Sequence, residues 1–330
     1  MSFTNYDDLM MNVRSVWSAR IILTAIELNV ADVLAKGDDG EGLSGKDVAT
    51  KLQGDARATT MLLDAMTALG LAEKHEDKYK NSQLAKEKFV TSSPNYGGDG
   101  LWHMAHLWQS WSQLTDCIRT GKPARTGERT EEQYHQFVGA MYDYGLVRAK
   151  ALAKSIDLTG VKRLIDIGGG PGSYAISFCE ANEGLEATVF DRPPAIHVAR
   201  QKIAKHKIEE QVKVVEGDIY ENDLGKDWEV AFASHIIHAY GPEESKTFFE
   251  KVHGSLVSGG RFLLQDFFAE DDRVSPPNVP VFSINMLVNT PNGQTFTFSE
   301  TEQWLKEVGF TKIKRLATPP GADVIEAFKA

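Results

Sequence analysis

Two histidines three residues apart are the side chains of this chain best suited to acid–base chemistry. His235 and His238 end an apolar run in SHIIHAYGPEE (234–244), just before a Gly-Pro pair. A histidine with an ordinary pKa near ~6.5 can take a proton at neutral pH, and two histidines can also bind a metal. No nearby acid or third ligand completes a plausible metal site, so we predict none. The pair is left as a general base or as packing histidines.

A glycine-rich loop lies in LIDIGGGPGSYAIS (164–177). Gly168, Gly170 and Gly172 allow a sharp turn and the close approach of a ligand, and the following helix presents free N–H groups. Ser173 stands where a GxGxxG motif has its last glycine, and no GK[ST] follows, which excludes a phosphate P-loop. The loop is typical of both dinucleotide and S-adenosylmethionine sites.

Acidic residues accompany three successive strand-like runs. Asp166 lies in the first run, and Asp191 ends the second, 21 residues beyond Gly170, where a carboxylate can accept from both ribose hydroxyls. Asp218 ends the third in EGDIY, where it can accept from an adenine amino group with Ile219 on the face of the base. This pattern favours a neutral nucleoside joined to a cationic sulfonium over a pyrophosphate. Alternatively, these aspartates only cap helices or turns.

Alternating strands and helices from about residue 157 would bring these residues to one edge of a sheet. The strand-like runs are RLIDI (163–167), ATVFD (187–191), VKVVEGD (212–218), EVAFASHII (229–237) and RFLLQDF (261–267), with helical segments between them. Two further runs, TKIKRLA (311–317) and DVIEAFK (323–329), are joined only by TPPGA, which is too short for a parallel crossover. We predict an α/β fold with a doubly wound, mostly parallel seven-stranded sheet that ends in an antiparallel hairpin.

The chain before this sheet is predicted to be mainly helical. Residues 1–98 indicate three helices, one capped by Ser44 and Asp47, and a hairpin over 71–82, which is the winged-helix arrangement. Their 11 Lys and Arg against 14 Asp and Glu give the wrong sign for DNA binding, so we expect a packing or dimerisation role. Residues 99–156 are predicted to be a helical connector, and 157–330 the catalytic domain.

Composition limits the possible partners and location. The 330 residues carry a net charge of −10, which disfavours nucleic acid as a partner. The two cysteines show no CxxC spacing, which fits a reducing compartment. The N-terminus does not resemble a signal peptide, and no apolar run approaches the ~20 residues that span a bilayer. We expect a cytoplasmic protein that binds no membrane.

The ordered set of motifs resembles the S-adenosylmethionine-dependent small-molecule O-methyltransferases, which include plant caffeate-type and bacterial tailoring enzymes. The similarity rests on the winged-helix start and on DIGGGPG, FDRP, EGDIY, HAYGPEE, SGGRFLLQD and NGQTFTFSETEQWLKEVGF. It implies the class I methyltransferase fold, S-adenosyl-L-methionine as cofactor, and a homodimer built through the N-terminal domain.

The resemblance assigns a role to one histidine. His238 matches the family's general base, whereas His235, placed inside the strand by the pattern, is expected to point away from the site. Ser234 stands where the plant enzymes place a lysine near the cofactor, and Thr295 where they have a flanking glutamate. We therefore expect His238 to lack an acidic partner that orients it. Asp266 could touch the site or a helix N-terminus.

The acceptor is predicted to be a small, flat aromatic compound with a hydroxyl group. FSINMLVNT (282–290) resembles the family's substrate-contacting helix, with Asn285 and Met286 facing the acceptor. Met141, Tyr142 and Tyr144 are expected to approach it from the connector. Because relatives of this fold also methylate carbon, decarboxylate or hydroxylate, these reactions stay open as alternatives.

Overall fold

The computed structural model describes residues 3–125, 127, 130–316 and 323–330. The chain divides into two compact units, the first ending at Trp108 and the second beginning at Gln109. The division at residues 98 and 156 stays a prediction.

The first unit combines helices with a small antiparallel sheet. Its helices are α1 (Tyr6–Glu27), α2 (Val30–Ala35), α3 (Gly45–Leu52), α4 (Ala56–Ala68), α5 (Gln83–Lys88) and the first part of α6 (Gly98–Trp111). Its strands are β1 (Leu43–Ser44), β2 (Ala72–His75) and β3 (Lys78–Asn81), in the order β1-β3-β2. The predicted hairpin over 71–82 is confirmed. The predicted cap of α3 is also confirmed, because Asp47 N donates to Ser44 Oγ and Ser44 N donates to Asp47 Oδ2.

The second unit contains the predicted seven-stranded sheet. Its strands are β4 (Arg163–Ile167), β5 (Glu186–Asp191), β6 (Val212–Glu216), β7 (Trp228–Ser234), β8 (Leu256–Asp266), β9 (Phe310–Leu316) and β10 (Asp323–Lys329). The order is β6-β5-β4-β7-β8-β10-β9, and only β10 runs antiparallel to its neighbours. The prediction of a mostly parallel sheet with an antiparallel end is confirmed. The TPPGA connection lies outside the described residues.

The second unit also contains helices, five of which pack on the sheet. The helices are α7 (Leu114–Thr120), α8 (Glu131–Ala153), α9 (Ser173–Ala181), α10 (Pro193–His206), α11 (Pro242–Ser255), α12 (Asn278–Asn289) and α13 (Phe298–Val308), with a 3₁₀ turn at Ile237–Ala239. One core, which includes Phe178 and Phe232, packs under α8, α9 and α10; the other, with Phe248 and Phe262, packs under α11 and α13. Strands covered on both faces read as nearly continuous apolar runs, which explains why the sequence predicted them.

The strand order places a switch point between β4 and β7. The connections from β4 and β5 lead towards one side of the sheet, and those from β7 lead towards the other. Ligands of such sheets bind outside the carboxyl ends of the strands at this point. The ends of β4, β5, β7 and β8 therefore define the edge at which a site is expected.

None of the helices in the described part of the chain is both long and apolar enough to cross a membrane.

Removal of the Phe232 ring should destabilise the second unit strongly. Phe232 is fully buried in β7, and its ring centroid lies 4.8 Å from that of Tyr174 and 5.1 Å from that of Phe178. Phe232→Ala should lower the free energy of unfolding by about 3–5 kcal/mol in urea titrations, because it leaves a cavity. Val215→Ala, at a side chain 46% exposed on edge strand β6, is the matched control and should cost within about 0.5 kcal/mol. Equal losses would contradict the assigned packing.

Candidate active site

The glycine loop leaves the end of β4 in a backbone conformation that favours glycine. Gly168, Gly170 and Gly172 have φ values of 64°, 54° and 80°. A Cβ at Gly168 would lie 2.4 Å from Ile236 Cδ1, whereas one at Gly170 would meet no atom within 4 Å. The loop is therefore packed against the protein at Gly168 and open in front of Gly170. An open stretch of backbone beside a helix N-terminus fits a nucleoside ligand.

The side chain of Asp166 packs against this loop. Its side chain is completely buried, its Oδ2 accepts from Ala175 N at 3.1 Å, and its Oδ1 has no partner among the described residues. A Cβ at Gly169 would lie 2.7 Å from the carboxyl carbon. Burial raises the pKa of Asp166 to about 7. A direct contact of Asp166 with the cofactor stays a prediction.

Asp191 and Asp218 follow β5 and β6 at the same edge. Asp191 Oδ2 accepts from Gly170 N at 2.8 Å and Oδ1 from Arg192 N at 2.7 Å, so the carboxylate is held against the loop. Burial raises the pKa of Asp191, although both backbone donors oppose the shift. Asp218 Oδ1 accepts from Tyr220 N at 2.8 Å, so this side chain also stabilises a turn. Ile219 is buried beside it.

His238 has an acidic partner, so the expectation that it lacks one is wrong. Its Nδ1 lies 2.6 Å from Asp266 Oδ1, and its backbone N donates to Asp266 Oδ2 at 3.4 Å. Burial raises the pKa of Asp266, but the charge of His238 and its hydrogen bond lower it more, to a net value below the ordinary range. An ionised carboxylate only accepts hydrogen bonds, so Nδ1 carries the proton of this contact, and in the neutral form of the ring the lone pair lies on Nε2. This is the tautomer that a base needs.

Sequence reasoning left Asp266 undecided because it lies 28 residues beyond His238. The usable signal was its position at the end of the strand that follows His238. Two aromatic residues were also missed. The Phe282 ring lies edge-on to His238 at 4.9 Å between centroids, and the Phe267 ring lies 4.5 Å from Phe282. These rings surround the imidazole with apolar surface.

His235 lies beside His238, so its predicted orientation is wrong. Strand β7 ends at Ser234, and His235 has a φ of 58°, which breaks the alternation that the prediction assumed. Its ring centroid lies 6.0 Å from that of His238. Ser234 Oγ lies 2.7 Å from His235 Nδ1 and donates to Gln265 Oε1 at 3.0 Å. Contact of Ser234 with the cofactor stays a prediction.

The predicted acceptor residues are only partly brought together. Asn285 lies on α12 one turn after Phe282; its Oδ1 accepts from Trp111 Nε1 at 2.9 Å, which positions the helix. Met286 on the same helix is buried. Thr295 is buried, and its backbone N donates to Ser283 Oγ at 3.2 Å.

The residues predicted on α8 differ in their placement. Tyr142 is buried, and its hydroxyl bonds to Nε2 of His206, the last residue of α10. Because α10 begins at the carboxyl edge and runs back to the opposite edge, this contact directs Tyr142 away from His238. Met141 is half-buried and Tyr144 is 46% exposed. Contact of either with the acceptor stays a prediction.

No group of three or more His, Cys, Asp or Glu residues that could hold a metal ion occurs within the described ranges.

The fold and this edge define a class I methyltransferase. Family models confirm this: the O-methyltransferase domain matches residues 111–311, and the O-methyltransferase dimerisation domain matches residues 12–91. The chain belongs to the S-adenosylmethionine-dependent O-methyltransferase family. Its cofactor is S-adenosylmethionine, and the open loop at Gly170 with Asp191 beside it fits that molecule.

Named relatives span nearly the whole chain. The 3-hydroxy-5-methyl-1-naphthoate 3-O-methyltransferase of Streptomyces sahachiroi is 28% identical over 96% of this chain and 93% of its own. The tetracenomycin polyketide synthesis 8-O-methyl transferase TcmO of Streptomyces glaucescens is 28% identical over 94% of this chain and 93% of its own. An L-tyrosine C(3)-methyltransferase of Streptomyces lavendulae is 22% identical over 87% of this chain and 81% of its own.

A solved structure shows the same fold. The crystal structure of human N-acetylserotonin methyltransferase in complex with S-adenosylmethionine has a TM-score of 0.83 and 25% identity, with 100% of both chains covered.

Replacement of Asp266 should impair turnover by misorienting His238. Asp266→Asn presents an amide that can donate to Nδ1 and so favours the tautomer with its proton on Nε2. We expect kcat to fall about 10²- to 10⁴-fold and its pH dependence to change, while calorimetry shows S-adenosylhomocysteine affinity within about twofold. An unchanged pH profile with reduced kcat would indicate a merely structural role.

Asp166 should make stability pH-dependent. Its folded pKa of about 7 lies above the ordinary 3.8, so its contribution is fully present below pH 3.8 and is lost as the pH rises towards 7. Asp166→Asn removes this ionisation while an amide oxygen can still accept from Ala175 N. Between pH 4 and 7 the cofactor-free wild type should lose up to about 4 kcal/mol of unfolding free energy relative to the variant. A constant difference across this range would contradict the raised pKa.

Proposed function

We propose that this protein transfers the methyl group of S-adenosylmethionine to a hydroxyl of a small aromatic acceptor, with His238 as general base. The hydrogen bond between His238 Nδ1 and Asp266 Oδ1, at 2.6 Å, carries this proposal. It directs the lone pair of the neutral ring to Nε2, and the Phe282 ring, 4.9 Å from the imidazole between centroids, offers apolar surface suited to a flat acceptor. The related naphthoate and tetracenomycin enzymes support an aromatic hydroxyl compound as substrate.

His238 removes the acceptor proton as the new bond forms. S-adenosylmethionine, when bound, supplies a methyl group activated by its sulfonium. A phenol with a pKa near ~10 is a weak nucleophile at neutral pH, so proton removal by Nε2 assists the attack. Asp266 stabilises the imidazolium that results, because the pair is buried and hydrogen-bonded.

The cofactor is proposed to lie along the carboxyl edge between the glycine loop and β6. Gly168, Gly170 and Asp191 would hold the sugar side, and Asp218 and Ile219 the adenine. Ser234 at the end of β7 and the buried Asp166 complete this set.

The N-terminal part is proposed to form a homodimer. Helix α1 exposes several large apolar side chains, including Tyr6 at 72%, Met11 at 67% and Trp17 at 67%. The dimerisation-domain match over residues 12–91 supports burial of these side chains against a second copy. We propose that residues 1–98 form a winged-helix dimerisation domain, 99–156 a connector and 157–330 the catalytic domain, in a cytoplasmic enzyme.

Carbon methylation is a second candidate, supported by the related tyrosine C(3)-methyltransferase. NMR of the product separates the two, since a methyl group on oxygen and one on an aromatic carbon have distinct shifts. A decarboxylating or hydroxylating reaction would instead release no labelled methyl group to any acceptor.

Paired variants test the proposed roles of base and cofactor residues. His238→Ala should lower kcat about 10²- to 10⁴-fold because it removes the proton acceptor, with S-adenosylhomocysteine affinity nearly intact. Asp191→Ala should instead weaken the binding of S-adenosylhomocysteine by about 2–3 kcal/mol, because it removes a charged hydrogen-bond acceptor. Turnover assays with labelled S-adenosylmethionine and calorimetry measure the two effects. Unchanged turnover of His238→Ala would exclude proton transfer by this residue.

A further inference from the structure

His235 is a half-buried polar residue, with a buried Nε2 atom, that the proposed proton transfer does not use. Its backbone N donates to Gln265 O at 2.8 Å, which extends the pairing of β7 and β8 by one residue. Its φ of 58° is uncommon for a residue other than glycine and interrupts the extended backbone of β7. The backbone thus turns this ring towards His238 at the edge of the sheet.

A chain of hydrogen bonds determines which ring nitrogen carries the proton. Ser234 Oγ donates its single proton to Gln265 Oε1. With the Gln265 amide oriented so that Oε1 faces Ser234, the proton in the 2.7 Å contact between Ser234 Oγ and His235 Nδ1 belongs to Nδ1. Burial lowers the pKa of His235 to about 4, so the ring is neutral at physiological pH. Nε2 is then a lone-pair acceptor with its direction fixed.

The His235 ring lies beside the base and beside Phe267. The His235 ring centroid lies 4.7 Å from that of Phe267 and 6.0 Å from that of His238. Nε2 is buried and has no hydrogen-bond partner among the described residues. An unpaired buried acceptor is costly, and a ligand group that donates to it recovers the lost bond.

We propose that His235 Nε2 accepts a hydrogen bond from a second hydroxyl or N–H group of the acceptor, on the ring carbon next to the hydroxyl that His238 deprotonates. The proposal rests on the proposed function and narrows the acceptor to vicinal dihydroxy or aminohydroxy aromatic compounds. Neighbouring ring substituents can reach both imidazoles because the two ring centres lie only 6.0 Å apart. An acceptor without the second hydroxyl or N–H group would bind less tightly, because it leaves His235 Nε2 without a hydrogen-bond partner.

Three matched naphthols test this acceptor preference. Calorimetry on protein saturated with S-adenosylhomocysteine compares 2,3-dihydroxynaphthalene, 3-methoxy-2-naphthol and 2-naphthol, and methyl transfer to each is measured in parallel. The wild type should bind the diol about 10- to 100-fold more tightly than either compound that lacks the second donor. Equal affinity for the three compounds, or binding of none, would overturn the proposal.

Substitutions of His235 test whether its nitrogen is responsible. His235→Phe keeps a ring against Phe267, and His235→Asn tolerates the left-handed backbone; both should reduce the preference to about twofold or less. His235→Gln places an amide near the position of Nε2 and should restore part of it. His253 lies on α11, with its ring centroid 4.9 Å from that of Phe310; His253→Phe is the matched control and should retain the full preference. Because the readout is a ratio measured on one protein, a general loss of stability does not change it.

The outcomes separate this proposal from the function on which it rests. If His235→Phe still binds the diol more tightly than the other two naphthols, the nitrogen does not recognise the acceptor. The same conclusion follows if the variant binds S-adenosylhomocysteine less tightly but keeps its preference for the diol. A binding preference that depends on His235 without methyl transfer to any naphthol would contradict the proposed function and support the acceptor assignment.

Discussion

The hydrogen bond between Asp266 and His238 depends on the pairing of two neighbouring parallel strands. Asp266 is the last residue of β8, and His238 follows the end of β7 by one turn. The register pairs Ala233 with Leu264 and Ser234 with Gln265. Since side chains alternate between the faces of a strand, a slip of one residue would place Gln265 where Asp266 stands. The geometry of the proposed base is therefore a property of the sheet.

The same register brings the last two residues of β8 into contact with different partners. Gln265 is fully buried and accepts from Ser234, which in turn holds His235, whereas Asp266 holds His238. Each histidine is thus oriented by one residue of β8. Phe267, which follows Asp266 and donates its N–H to Asp266 Oδ1, packs against the His235 ring. The last two residues of β8 and the residue that follows them consequently contact both imidazoles or the serine that holds one of them.

Sequence alone predicted the sheet well because strands buried on both faces leave continuous apolar runs. The glycine loop was predictable for a similar reason: positive φ values at Gly168, Gly170 and Gly172 demand that residue type. The orientation of His235 was not predictable, since it depends on where β7 ends, and strand ends are the least certain part of such reasoning. Asp266 was undecided because a partner supplied by an adjacent strand requires the register. The hydrogen bond between the Tyr142 hydroxyl and His206 was also not predictable, since the sequence does not tell which neighbouring helix a side chain contacts.

The carboxylates along this edge interact with one another as well as with their hydrogen-bond donors. Burial raises the pKa values of Asp166 and Asp191, and the charge of Asp191 raises that of Asp166 further. Asp266 behaves oppositely, because His238 compensates its burial. A cationic ligand close to Asp191 would favour ionisation of both Asp191 and Asp166, since opposite charge stabilises a carboxylate. Without such a ligand, burial keeps the pKa values of both carboxyls raised. A sulfonium at the proposed cofactor edge would supply the opposite charge that these two carboxyls lack, whereas His238 already supplies it to Asp266.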